Sequence, residues 1–290
     1  MNKKGLYKII LTSLFTALSF AGVYIQIKLP VGMVHLGNFV CIISSFFLGG
    51  LLGGTSGAIG MCLADITMGY GLASSVRTLI LKFFMGLIAG SLFKVLKKKD
   101  KSNGIFNLII TIVLFISTIV MTIISILSYQ NKFVISYDKL VDGAIKTTTK
   151  TLTFNWIIPV LLGVLFIMSL LVLIFRHKLN KISSVALSSA SVAISFNIFG
   201  EVFIKSLIYY LLNSSYDSIN ASFMYSVSGL PSTLITSTIT LVLVGFIFYP
   251  IYIAVSHTNA AKLLDINEEK SLENNNNLEW VKYTHSLFFQ

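Results

Sequence analysis

"IFNLIITIVLFISTIVMTIISILS", residues 105–128, contains no charged side chain. A helix needs roughly 20 apolar residues to cross a hydrocarbon core about 30 Å thick, and this run is long enough. Two further stretches read the same way: "FNWIIPVLLGVLFIMSLLVLIF" (154–175) and "LPSTLITSTITLVLVGFIFYPIYIAV" (230–255). The chain as a whole agrees. Of its 290 residues, 55% are hydrophobic and only 11% are charged, and its mean hydropathy is +0.83. Helices in the cores of soluble proteins are shorter and two-faced, so this composition excludes a soluble globular domain.

Five other segments complete the count. "YKIILTSLFTALSFAGVYIQI" (7–27) follows a basic start and exceeds the length of a signal-peptide core, so it reads as an uncleaved first span. "NFVCIISSFFLGGLLGG" (38–54) and "TSGAIGMCLADITMGY" (55–70) read as two short helices meeting at glycines. "SVRTLILKFFMGLIAGSLF" (75–93) is a fourth span, and "SSVALSSASVAISFNIFGEVFIKSLIYYLL" (183–212) is a long, polar-flecked one. The expected fold is an all-α, polytopic membrane helix bundle of eight spans. Lysine placement orients it, because cytoplasmic loops retain Lys and Arg. With the amino terminus inside, Lys3, Lys4, Lys8, Lys94, Lys97 to Lys99, Lys101, Arg176, Lys178 and Lys181 are all cytoplasmic, and so is the carboxyl terminus. The formal net charge of +11 then reflects topology and contact with anionic lipid rather than nucleic acid, for which no module is present. Cys41 and Cys62 sit in apolar segments without metal-ligand spacing and read as small packing residues. The polar stretch 257–290, containing "ENNNNLE", reads as a flexible cytoplasmic tail.

Charges inside the spans carry the functional information. In "GMCLADITMGYG" (60–71), Asp65 falls in the outer half of its helix, about two turns below the external end near Tyr70. Arg77 opens the next span from outside, and Lys82 lies roughly 7–8 Å deeper. Glu201 and Lys205 share a face of the long helix at the same outer depth, and "VHLGN" (34–38) supplies His35 and Asn38 from the first external loop. Charge exposed to lipid is costly, so such groups face one another or a watered cavity. Asp65 with Lys82, and Glu201 with Lys205, can be read as structural ion pairs; His35 can be an ordinary loop histidine and Tyr70 an interfacial aromatic. The cluster as a whole also suits a polar ligand held in an apolar cavity. Small residues repeat at four-residue spacing on three helices: Ser13, Ala17 and Ala21, then Gly53 and Gly57, then Gly86 and Gly90. Such faces let helices approach closely in lipid; the glycines read as internal packing, and Ala17 and Ala21 are open to a second reading.

The block from Pro30 to Gly90 resembles the substrate-binding S components of energy-coupling-factor (ECF) transporters, in the riboflavin-type branch. It carries a VHLG-N loop (Val34 to Asn38), a helix ending in Leu63 to Asp65, a Gly69 to Gly71 turn, and Lys82 four residues before Gly86 and Gly90. "FGEVFIKSLIYYLL" and "GLPSTLITS" resemble the family's last two spans, so the likeness covers roughly 7–95 and 186–256. The resemblance implies a six-helix core with an external pocket for a water-soluble vitamin or precursor: riboflavin, a pyridoxine-type vitamin or a hydroxymethylpyrimidine-type precursor. It implies substrate-binding roles for His35, Asn38, Asp65, Tyr70, Arg77, Lys82 and Glu201. Ala17 and Ala21, in "ALSFA", would be the contact for a transmembrane coupling subunit, with two cytoplasmic ATPases as further partners in a bacterial cell membrane. The implied division is core helices 1–4 in 1–99, an inserted transmembrane hairpin with an external loop in 100–182, the last two core helices in 183–256, and the tail in 257–290. Asn38 departs from a position often acidic in relatives, which bears on the charge of the ligand.

Other classes fit less well. An ion-coupled secondary carrier would also keep intramembrane carboxylates, yet no inverted halves with matching broken helices are visible. An enzyme is not expected: no HExxH or G-x-S-x-G occurs, the 4 histidines are dispersed, and no cofactor or metal site is indicated. The chain also lacks a phosphate-binding G-x-x-x-x-G-K-[ST] loop, so ATP hydrolysis would fall to partners.

Overall fold

A computed structural model describes residues 3–29, 32–98, 104–130, 133–141, 144–152, 157–175, 180–212 and 219–258. In chain order these form α1 (Lys3–Tyr24), β1 (Gln26–Leu29), β2 (Gly32–His35), α2 (Gly37–Leu48), α3 (Gly50–Thr67), α4 (Leu72–Lys98), α5 (Gly104–Gln130), β3 (Phe133–Val141), β4 (Ala144–Leu152), α6 (Ile157–Phe175), α7 (Lys181–Leu212), α8 (Ile219–Ser228) and α9 (Leu230–Ser256). The molecule is an all-α membrane bundle. Four helical segments are long and apolar enough to cross a bilayer, Gly5–Tyr24, Leu72–Lys98, Lys181–Leu212 and Tyr225–Ser256, and shorter apolar helices occupy Gly37–Leu48, Leu108–Ile123 and Ile158–Ile174. Most of the tail and the basic residues Lys99, Lys101, Arg176 and Lys178 lie outside the described residues.

The element boundaries differ from the sequence reading at four places. The first helix stops at Tyr24 instead of running through Ile27, because Gln26–Leu29 pairs antiparallel with Gly32–His35, Gln26 facing His35 across the ladder. Pro30 suits the extended end of β1, because the residue before a proline, Leu29, is pushed towards extended backbone. The break between α2 and α3 comes at Gly49, not at 54–55; its φ of 84° lies in the left-handed region that costs other residues strain. The Thr/Lys-rich segment read as an external loop contains the antiparallel hairpin β3–β4, in register from Phe133 opposite Leu152 to Val141 opposite Ala144. Its β-branched threonines suit a strand better than a helix. The short helix α8 had no counterpart in the sequence reading. Both hairpins lie at one end of the bundle, since β2 touches α9 and β3 touches α8.

Glycine sets the spacing of the inner helices. A side chain at Gly86 would place its Cβ 2.5 Å from Gly54 Cα, and one at Gly90 would come within 2.5 Å of the Gly50 amide nitrogen. Gly57 meets Cys41, and Gly60 meets the Thr16 carbonyl of α1. Helices in lipid gain little from hydrophobicity and much from such close contact. Hydroxyls fasten the α2–α3 turn: Ser44 Oγ donates to the Cys41 and Gly53 carbonyls, and Ser56 Oγ donates to Ser44 Oγ. Cys41 is buried and both cysteines are free thiols.

At the end of the bundle opposite the hairpins, Phe46, Phe93 and Phe248 interlock. Phe46 stacks on Phe93 with centroids 4.6 Å apart, and Phe248 meets them edge-on at 4.9 and 5.5 Å. The α5–α6 pair stands outside this inner group and leans on α7 and α9. Its two helices are joined by a buried hydrogen bond between Thr111 and Ser169, 2.7 Å long, and by the Phe115–Phe166 ring contact.

The glycine seam yields a direct expectation. Gly86→Leu has no room against Gly54 and Ser45, so it should lower stability by about 1–3 kcal/mol or more, the range for overpacking. Thermal unfolding of the purified membrane protein, read beside the lipid-facing control Phe84→Leu, measures it; equal stability of the two variants would contradict the close approach.

Candidate functional site

The hairpin end of the bundle holds a buried polar network built from two facing ladders. Along α4, Ser74, Thr78 and Lys82 recur every four residues, with Arg77 beside them. Along α7, Asn197, Glu201, Lys205 and Tyr209 do the same. Four-residue spacing stacks side chains on one helix face, so packing α4 against α7 turns two sequence periodicities into one site. A close contact between Gly200 and Leu81 lets the two helices meet.

Glu201 is the hub. Its Oε2 lies 3.3 Å from Arg77 Nη1 and its Oε1 lies 3.9 Å from Lys82 Nζ. Lys82 also donates to Asn197 Oδ1 at 2.6 Å. On the α3 side, Asp65 Oδ2 accepts hydrogen bonds from Ser74 Oγ and Thr78 Oγ1, and stands 3.7 Å from Arg77 Nη2. Arg77 donates to the same two hydroxyls. Asp65, Lys82 and Glu201 are 5%, 5% and 8% exposed. Charges so deep survive only when paired and hydrogen-bonded, a condition met here through shared partners.

The convergence expected from the sequence is present, but the pairing is different. Asp65 is joined to Arg77, Ser74 and Thr78 rather than to Lys82, and Glu201 is joined to Arg77 and Lys82 rather than to Lys205. Helix direction explains the exchange. Lys82 lies more than one turn further along α4 than Arg77 and meets the α7 ladder, while Arg77, nearer the hairpin end, reaches both carboxylates. Lys205 instead lays its ammonium against two rings, 4.9 Å from the centroid of Tyr225 and 5.8 Å from that of Tyr209.

His35 closes β2 beside this network. Its Nδ1 accepts the Gly37 amide at 3.2 Å, which leaves the ring proton on Nε2. Burial, with the positive charges of Lys82 and Arg77, lowers its pKa from 6.5 to about 3, so the ring is neutral at physiological pH. Asn38, at the start of α2, is 4% exposed and its Oδ1 has no hydrogen-bond partner among the described residues. Tyr70 stands apart: it is exposed, and its hydroxyl reaches Met33 Sδ at 3.4 Å rather than an ion. Ser74, Thr78, Asn197, Tyr209 and Tyr225 were missed in the sequence. For the first four the signal was there, in their four-residue spacing from one another and from Lys82, Glu201 and Lys205. No group of three potential metal ligands occurs among the described residues.

A separate cavity of about 200 Å³ lies on the other side of α7, enclosed by apolar side chains such as Leu114, Met121, Phe199, Phe203, Phe223 and Leu234. None of the expected substrate-binding residues lines it.

A family model for the ECF-type riboflavin transporter, S component, matches residues 3–172. That range takes in α1 to α5 and most of α6, and ends before α7. No curated protein and no solved structure matches the chain.

Two measurements test the geometry. In double-mutant cycles on unfolding, Arg77→Met with Glu201→Gln should show coupling of roughly 0.5–3 kcal/mol, larger than that of Asp65→Asn with Lys82→Met; the opposite order would restore the pairing read from sequence. The second is pH. A histidine whose folded pKa is depressed binds fewer protons when folded, so its contribution to stability is complete above pH 6.5 and is lost as the pH falls towards about 3. Stability curves of the wild type and His35→Ala should therefore run parallel above pH 6.5 and converge below it; parallel curves throughout would remove the assignment.

Proposed function

The chain belongs to the S components of ECF-type riboflavin transporters, and on that premise we propose that it captures a water-soluble vitamin or vitamin precursor from outside the cell and presents it to an energised transport complex. The observation that carries this reading is the buried network of Asp65, Arg77, Lys82 and Glu201 at one end of a lipid-embedded bundle. Polar groups in such a place are expensive, and ligand recognition is their usual use. His35 adds a neutral donor beside them, and Asn38, at the start of α2, carries an unpaired buried acceptor. Tyr70, at the rim, is assigned an aromatic contact with the ligand. The candidates are riboflavin, a pyridoxine-type vitamin or a hydroxymethylpyrimidine-type precursor, each a flat ring with a few polar groups.

The chain is not an enzyme, and it carries no nucleotide-binding loop, so transport would draw on separate ATPase subunits through a membrane coupling subunit. The surface of α1 suits that contact. Ala17 and Ala21 are exposed on the same face as Leu14 and Leu18, which are 52% and 46% exposed. A small-residue patch ringed by leucine lets a partner helix approach closely. Residues 100–182 are assigned as an accessory transmembrane hairpin beside a core formed by 1–99 and 183–256. With both termini cytoplasmic in a bacterial cell membrane, the ionic network faces outward.

The test pairs binding with uptake. Ala17→Trp and Ala21→Trp should each leave ligand affinity within about twofold while cutting ATP-driven uptake by about tenfold or more in cells supplied with the full complex. Undiminished uptake in both variants would remove α1 from the interface. Uptake by the purified chain alone in liposomes, driven by an ion gradient, would replace the S-component reading with that of a secondary carrier.

A further inference from the structure

The cluster contains three basic side chains, Arg77, Lys82 and Lys205, against two carboxylates, Asp65 and Glu201, while His35 is neutral. Among the described residues this leaves one formal positive charge unbalanced in a site shielded from water, an arrangement that favours an anion.

The imbalance can be located. Both oxygens of Glu201 are taken, Oε2 by Arg77 and Oε1 by Lys82. Lys205, one turn further towards the mouth on the same face of α7, is only 8% exposed and has no carboxylate within 4 Å and no hydrogen-bond acceptor among the described residues. The rings of Tyr209 and Tyr225 stabilise its charge, but ring faces offer no lone pair comparable to an oxygen for its three N–H groups. The placement of Tyr225 is secured by Ser222, whose hydroxyl donates to the Ser206 carbonyl and so holds α8 on α7.

A second positive pole meets the ammonium. Gly229 is the N-cap of α9, and a Cβ at that position would lie 3.0 Å from Lys205 Nζ. The cap residue contributes no side-chain hydrogen bond and the next position but one is Pro231, so the amides of Leu230 and Ser232 begin α9 without intrahelical partners. The N-terminus of a long helix carries a partial positive charge and binds anions. The α8 carbonyls that end at Ser228 help to hold the ammonium there, so that it and the first amides of α9 offer donors towards one point.

We propose that Lys205 and the N-terminus of α9 form an oxyanion subsite that receives an acidic group, phosphate or carboxylate, carried by the transported ligand. The subsite extends the binding network by one helical turn towards the outside, so the acid enters last and lies nearest the mouth. This inference rests on the reading of the chain as a vitamin-binding S component, and it narrows the ligand to one with a negative charge.

The experiment compares riboflavin, which is uncharged, with riboflavin 5′-phosphate by fluorescence titration of the full chain in a phosphate-free maltoside detergent and in phosphatidylglycerol nanodiscs. The phosphorylated ligand should bind at least about tenfold more tightly in both settings. Lys205→Met should bring the two affinities to within about twofold of each other, and Lys205→Arg should keep them apart; thermal unfolding accompanies each variant. Equal binding of the two flavins by the wild type overturns the subsite while the S-component reading stands, and this comparison decides even if Lys205→Met does not fold. A preference seen in detergent and abolished in nanodiscs gives the subsite to a lipid phosphate and also overturns the proposal. Failure of the wild type to bind either flavin removes the flavin-type reading and the inference with it.

Discussion

Glu201 is the constraint on which the hairpin end of the bundle depends. A single carboxylate on α7 holds two cations from α4, and through Arg77 it also holds the carboxylate of α3. Removing it would leave Arg77 and Lys82 buried beside one remaining carboxylate, and breaking a buried pair by deleting one partner is among the most destabilising changes known. The helices cannot rearrange around this loss without exposing charge to lipid. The network therefore does two things at once: it registers α3, α4 and α7 against one another, and it keeps polar groups at a depth where a solute could meet them.

That arrangement needs the backbones close together, and the glycines supply the closeness. Gly54 against Gly86 and Gly50 against Gly90 bring α3 and α4 within reach below the network, so that the short side chains Ser74 and Thr78 can touch Asp65 above it. The seam and the ions are complementary parts of one packing problem. Between α3 and α4, short hydroxyl side chains suffice as hydrogen-bond donors, while the longer arms of Arg77 and Lys82 reach from α4 to the carboxylate on α7.

Much of this was legible in the sequence, and the reasons are specific. Charge-free runs such as 105–128 fix membrane helices because water is absent and backbone groups must pair within the segment. The depth of Asp65, Arg77, Lys82 and Glu201 followed from counting residues along helices. Partner choice did not follow, because it depends on how far α4 and α7 are rotated about their axes, and a shift of one residue exchanges Arg77 for Lys82. The β-hairpins were hidden for a different reason: β1–β2 is too short for a periodic signal, and in β3–β4 a polar strand looks like a loop. Tyr225 was invisible because α8, which carries it, has no apolar run long enough to announce a span.

The interlocked rings of Phe46, Phe93 and Phe248 have a consequence for how the bundle can move. Together they plug the bundle at the end away from the ions. One end of the bundle is thus tied by ions and the other by aromatic packing. Tilting the walls against one another, as rocking carriers do, would have to prise apart three aromatic contacts packed as tightly as a protein interior. Any movement between α2, α4 and α9 at that end carries the cost of parting the rings, so the three helices behave there as one body.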